Sequence, residues 1–261
     1  MMFRYLLLLT FFLLLAEPAL ARRIVLLAPA AGDILLELGL ADQVVGKTRS
    51  LEEFPRALKV GSHVKPNVEL IKGLQPDLLI ISSNRFFSEQ MKATIEAEVF
   101  VYDPQSLADI LKQTLALGDR TGRRTKAAEL TSKLREKLHG LEPPAQKPKV
   151  IYEISALPLS VAGQDNIITD IIRAAGGEAL DFGPGKIIKI GSEAVIAAHP
   201  DLYIYQVGPM NRNPPSPEDR GDYRLLDCGF LKVDQLQWSR ANTTSFDRVL
   251  ELNAILANRK P

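Results

Sequence analysis

The sequence predicts an α/β protein: two Rossmann-like lobes with mainly parallel sheets, joined by one long α-helix, with a ligand cleft between the lobes. Three observations predict it. Short apolar runs such as Arg23–Leu27 and Leu78–Ile81 alternate with helix-like periodicities, the order that parallel pairing with crossover helices produces. The rhythm occurs twice, and a phrase of helix, Pro-Asp and strand recurs at Gln75-Pro76-Asp77 and at His199-Pro200-Asp201. Between the halves, Leu107, Ile110, Leu111 and Leu115, then Ala127, Leu130, Leu134, Leu138 and Leu141, fall at helical spacing. These are two consecutive helices, interrupted around Asp119 to Gly122. The second, with Arg123, Arg124, Lys126, Glu129, Lys133, Arg135, Glu136 and Lys137 on its wet face, is expected to run roughly 17–19 residues, or about 25–30 Å. The expected organisation is a first lobe over 22–120, a joining helix over 121–142 and a second lobe over 143–261.

The chain of 261 residues is long enough for two cores. Its 32 Lys and Arg against 31 Asp and Glu give a net charge of +1, which provides no argument for nucleic acid or an anionic membrane. Residues 1–21 read as a secretory signal, with Arg4 at the start, the apolar run Leu6–Ala16, and Ala19-Leu20-Ala21 as a small-x-small cleavage site. The apolar run is shorter than the roughly 20 residues of a spanning helix. Cleavage after Ala21 leaves Arg22 first. Without a cysteine at that junction, the expectation is a periplasmic protein with no lipid anchor. Cys228, the single cysteine, reads as a small hydrophobe in Leu225-Leu226-Asp227-Cys228.

In the first lobe, the strand Arg23–Leu27 ends at Ala28-Pro29-Ala30-Ala31, and Ile34, Leu35, Leu38 and Leu40 form a short helix closed by Gly39. Val44-Val45-Gly46 begins the second strand. The long polar stretch Lys47 to Asn67 that follows marks a functional loop. Asn67 caps the next helix. Leu78–Ile81 is an all-apolar strand of the kind buried in parallel sheets. A helix over Asn84–Ile95 and the strand Val99–Tyr102 complete the lobe. In the second lobe, Lys149–Ile154 is a strand, Asn166–Ala175 a helix closed by Gly176-Gly177, Ile190 to Val195 the start of another helix, and Leu202–Tyr205 a strand. Ser245 caps a last helix, Phe246–Leu256.

The blocks RIVLLAPAAGDILLELGLADQVVG and KVGSHVKPNVELIKGLQPDLLII resemble the first lobe of the periplasmic binding proteins for vitamin B12, haem and ferric siderophores. The strand running into a proline turn, the helix ending in Gly-Leu, the strand ending in Val-Gly and the pattern N-x-E-x-I…L-x-P-D-L-I occur in the family's order. Val150-Ile151-Tyr152-Glu153 and the run from Ile168 to Glu178 resemble the family's second-lobe block, V-x-Y-E…I-x-D-x-I-x-x-A-G-G-E. The tail departs from the family. Many members carry a Pro-Arg pair before the last helix, where this chain has Trp238-Ser239-Arg240-Ala241-Asn242. The proline-rich stretch Gln206–Gly221 is also longer and more polar than expected.

The resemblance implies a monomeric carrier that captures a ferric siderophore, haem or cobalamin and delivers it to an ABC importer of permease and ATPase subunits. The long helix would limit lobe motion. Acidic residues at the positions of Glu69 and Glu193 dock family members on permease arginines. The helix dipole, which favours a carboxylate in the first turn, is the plainer account of both.

Ligands of parallel α/β sheets bind beyond the carboxyl ends of the strands. That rule selects the segments carrying Pro29, Arg49, Arg85, Phe86, Arg212, Trp238, Arg240 and Asn242. Aromatic surface covers a flat macrocycle and Arg pairs with its acids. Packing for Phe86, Phe87 and Trp238, and ordinary surface charge for the arginines, are the alternatives. His63 and Tyr205 are the candidates for axial ligation of iron. The three histidines are too scattered for a metal cluster. The sequence has no G-x-G-x-x-G, Walker or G-x-S-x-G pattern, and Gly183-Pro184-Gly185-Lys186 lacks phosphate-loop spacing. Neither a resident cofactor nor catalysis is expected. A hydrolase-like periplasmic enzyme and a ligand-sensing receptor module are the alternatives.

Overall fold

A computed structural model describes residues 22–258; the expected signal segment lies outside the described residues. The first lobe runs β1 (Ile24–Leu26), α1 (Gly32–Glu37), β2 (Val44–Lys47), β3 (Leu58–Lys59), α2 (Val68–Gly73), β4 (Leu78–Ile81), α3 (Glu89–Ala93) and β5 (Glu98–Val101). Its strands form a sheet in the order β3-β2-β1-β4-β5, with every pair parallel. Successive strand side chains point to opposite faces. Ile24, Leu26, Leu78 and Ile80 therefore enter one core, while Val25, Leu27, Leu79 and Ile81 enter another, packed with Ile71, Phe87 and Ile95. Burial on both faces is why these strands are uninterrupted apolar runs.

Helices α4 (Leu107–Arg120) and α5 (Arg124–Lys137) follow. The break between them has a local cause. Gly122 takes φ +65°, and Arg123 N–H closes back on the Gly118 carbonyl at 2.7 Å, a left-handed helix stop. Gly118 lets the two helices meet, since a Cβ there would sit 2.4 Å from that of Ala127. At 14 residues, α5 is about 21 Å long, shorter than the 17–19 residues expected. Leu138 and Leu141 keep the helical spacing, yet the chain turns there and Gly140 has φ +79°.

The second lobe contains β6 (Lys149–Ala156), β7 (Leu159–Ala162), α6 (Ile167–Ala174), β8 (Glu178–Ala179), β9 (Ile187–Lys189), α7 (Ser192–Ala198), β10 (Leu202–Val207), β11 (Gly229–Asp234), α8 (Gln235–Trp238) and α9 (Thr244–Ala257). The sheet order is β11-β10-β6-β7-β9, with β8 also on β6. The β11, β10, β6 and β8 pairings are parallel. A hairpin at Leu157-Pro158 makes β7 antiparallel to β6, and β9 is antiparallel to β7. The two lobes are thus related in plan but not equal in sheet direction.

One apolar core passes through both lobes. Ile24 and Leu26 of β1, Leu107, Ile110 and Leu117 of α4, Ala127, Leu130 and Leu134 of α5, Val150 and Tyr152 of β6, and Phe246 and Val249 of α9 belong to a single cluster. Full burial of each large aliphatic side chain contributes about 1.5–3 kcal/mol. Prying the lobes apart therefore costs apolar burial, which restrains their motion.

Candidate interlobe binding site

The turns at the carboxyl ends of the first sheet meet segments of the second lobe. Ala28, Pro29, Ser82, Tyr102 and Asp103 face Asp165, Asn166, Lys186, Ser239 and Ala241 around a cavity of about 160 Å³. Direct contacts join the two sides. The Tyr102 hydroxyl donates to the Ala241 carbonyl at 2.9 Å. Burial and the nearby Asp33 carboxylate raise the Tyr102 pKa well above its ordinary value, so the phenol keeps the proton it donates. Asp33 accepts from Thr243 twice, from the backbone N–H at 2.9 Å and from the hydroxyl at 2.6 Å. Burial dominates these hydrogen bonds and pushes the Asp33 carboxyl up to about 6. Lys186 of the second lobe pairs with Asp103 of the first.

Gln206, at the end of β10, holds the second-lobe wall. Its amide oxygen accepts from Tyr152 at 3.1 Å and from Ser239 at 2.5 Å, and its amide nitrogen donates to the Ile154 carbonyl at 2.9 Å. Behind this wall the proline-rich segment is pinned by a buried ion pair. Glu153, fully buried on β6, accepts a forked pair of hydrogen bonds from Arg220, one at 3.0 Å, and further bonds from Tyr203 at 2.5 Å and Asn211 at 3.2 Å. Burial opposes the charged Arg220, but the Glu153 hydrogen bonds and charge outweigh it and raise the guanidinium pKa further. Asn211 in turn accepts from Ala156 N–H at 3.0 Å, which fixes the rim after β6.

The sequence candidates fall in different surroundings. Pro29 lines the cavity. Arg49 is exposed just beyond β2. His63, Arg85 and Phe86, distant in sequence, come together beyond the carboxyl ends of β3 and β4. The His63 and Phe86 rings meet edge to face at 6.1 Å, and the Arg85 guanidinium lies 5.7 Å from the Phe86 ring centre. Partial burial lowers the His63 pKa below 6.5, so its imidazole is neutral at pH 7. Phe87 is core. Arg240 is half-buried next to the cavity-lining Ser239 and Ala241.

Three candidates are built into the fold instead. Trp238, only 2% exposed, stacks on Tyr152 at 6.5 Å. Tyr205 faces the apolar cluster on the outer side of the second sheet. Asn242 holds the approach to α9, accepting from the Thr244 N–H at 3.1 Å and its hydroxyl at 2.7 Å; the N-cap is Thr243, with no side-chain cap bond, and Ser245, expected to cap, lies inside the helix and accepts from the Asn242 N–H at 3.3 Å. Glu69 and Glu193 are both exposed in the first turns of α2 and α7. Asp33 and Asp103 carry no sequence signal, Gln206 lay in a segment selected beyond a strand end without being singled out, and Lys186 carried only its place in the Gly-Pro-Gly-Lys turn.

A family profile described as "Periplasmic binding protein" matches residues 24–217. This chain belongs to that family. The family binds rather than catalyses, and among the described residues no helix is long and apolar enough to cross a membrane. This binding protein is 28% identical over 173 residues to the high-affinity heme uptake system protein IsdE of Staphylococcus aureus, a match covering 62% of this chain and 59% of the relative. The match thus spans under two thirds of that relative's length. The fold is similar to that of S. aureus IsdE complexed with heme, at 21% identity and TM-score 0.76, covering 90% of this chain and 98% of the other. It is also similar to the periplasmic vitamin B12 binding protein BtuF of Vibrio cholerae, at 18% identity and TM-score 0.71, covering 92% and 98%.

Proposed function

We propose that this chain captures haem, a corrinoid or a ferric chelate in the interlobe cleft of an exported protein and hands it to an ABC importer. The observation that carries the reading is the grouping of His63, Phe86 and Arg85 at the first-lobe strand ends. A neutral imidazole ligates a metal, an aromatic edge covers a flat ring, and a guanidinium pairs with an acid. Haem uses all three, which makes it the first cargo to test. Titration of the mature protein with haemin is expected to give a saturable one-to-one Soret shift. His63→Ala is expected to move the Soret position and weaken binding about 10- to 100-fold, in line with loss of a metal ligand. An unchanged spectrum in the variant removes His63 from the iron.

Docking is assigned to Glu69 and Glu193, one per lobe. Each carboxylate sits at a helix start, and Glu193 lies back over Gly191, where a Cβ would be 2.2 Å from its oxygen. Reversing both charges to Lys is expected to abolish stimulation of the importer ATPase with cargo affinity unchanged. Full stimulation by the double variant refutes the docking role.

A further inference from the structure

The cavity between the lobes is too small for the cargo proposed above. It measures about 160 Å³, whereas pockets for whole ligands run about 300–1,000 Å³. Its size suits one arm of a larger molecule whose body rests on the rim. At the cavity wall stands Lys186, and its mounting is rigid. The 183–186 turn is bound to the 163–166 turn through Gly163 N–H to Lys186 carbonyl at 3.2 Å, Gln164 N–H to Gly183 carbonyl at 3.2 Å and Asp165 N–H to Gly185 carbonyl at 3.1 Å. The Asn166 amide also donates to the Lys186 carbonyl at 2.8 Å. Every one of these bonds uses the Lys186 backbone or its neighbours, so the ammonium is left for the cleft, where Asp103 of the other lobe holds it.

That pair is cheap to exchange. Its two side chains are 42% and 40% exposed, and ion pairs so open to water contribute little to stability. The other carboxylate at the wall, Asp165, is already engaged by the Gly185 N–H at 2.9 Å. A carboxylate entering the cavity thus meets one exchangeable cation and two carboxylates, so it is held only where Asp103 turns to water and the Lys186 ammonium stands between it and Asp165.

We propose that Lys186 selects cargo by its acidic arm: the ammonium leaves Asp103 for a carboxylate that the cargo inserts between the lobes. The inference rests on the cargo reading above and adds to it a second acid contact, from the second lobe, beside the one given to Arg85. Haemin, with two propionates, and its dimethyl ester, with none, are the probes. Lys186→Met keeps the backbone bonds of the turn and is expected to weaken haemin binding about tenfold, the loss of one charge-assisted hydrogen bond, while ester binding changes less than twofold. Lys186→Arg is expected to restore most of the haemin affinity. Asp103→Asn, which removes the competitor, is expected to tighten haemin severalfold and leave the ester alone. Equal loss of both probes in Lys186→Met, no loss of either, or weaker haemin binding in Asp103→Asn overturns the proposal while leaving the cargo reading intact. If the wild-type protein binds neither probe, haem is removed as the cargo and this inference falls with it.

Discussion

Arg220→Met is expected to lower the unfolding free energy by about 3–5 kcal/mol, the usual cost of leaving a buried charge without its partner. Glu153 is fully buried, and the Arg220 guanidinium fork is the charge that faces it. Tyr203 and Asn211 still donate to it, which keeps the loss within that range rather than above it. The damage should not stay local. Asn211, which donates to Glu153, also donates to the Gln206 carbonyl on β10 and accepts from Ala156 N–H at the end of β6. The double variant Glu153→Gln/Arg220→Met is expected to lose less than Arg220→Met alone, because a neutral amide is easier to bury than a lone carboxylate. Urea denaturation of the three proteins measures the coupling. A cost below about 1 kcal/mol for Arg220→Met would show the pair to be water-screened.

Asp33 is expected to give the stability curve an unusual slope. Most native carboxylates titrate below their unfolded values and stabilise as pH rises. Asp33 is the reverse, its carboxyl pushed from 3.8 up to about 6 by burial. The folded protein therefore binds this proton more tightly than the unfolded chain does. Its stabilising effect is complete below about pH 4, declines as pH climbs, and is gone above about pH 6, a fall of up to about 3 kcal/mol. The difference between wild type and Asp33→Asn, followed from pH 4 to 7, isolates this group from the others. A flat difference would mean that the Thr243 hydrogen bonds compensate burial fully. Since Asp33 joins α1 to the start of α9, its ionisation also bears on how firmly the lobes meet.

The central strands β1 and β4 were the most legible part of the chain because burial on both faces leaves them no polar positions, whereas the short or edge strands β3, β7, β8, β9 and β11 carry polar residues or too few positions to stand out. Helix ends were also less legible. Over Asn84–Ile95 the apolar pattern suggested one long helix, but Ser88 caps at Met91 and only Glu89–Ala93 is helical. The hairpin at Leu157-Pro158 departs from the parallel-crossover rule that the strand–helix rhythm implies. Aromatic identity alone did not say which way a ring faces. Tyr203 and Tyr205 share the outer face of β10 with each other by alternation, while Ile204 between them enters the interlobe core. The contacts that make the site, Asp103 with Lys186 and Asp33 with Thr243, join residues 83 and 210 positions apart. Only the folded chain brings them together, so no local pattern announces them.

Hydrogen exchange of the mature protein with and without haemin tests the cargo cleft most directly. The account predicts slowed exchange in both lobes at once, around residues 28–30, 82–87 and 102–104 of the first and 165–167, 186 and 238–242 of the second. Protection restricted to a single lobe, or placed on the outer faces of the sheets, would contradict it.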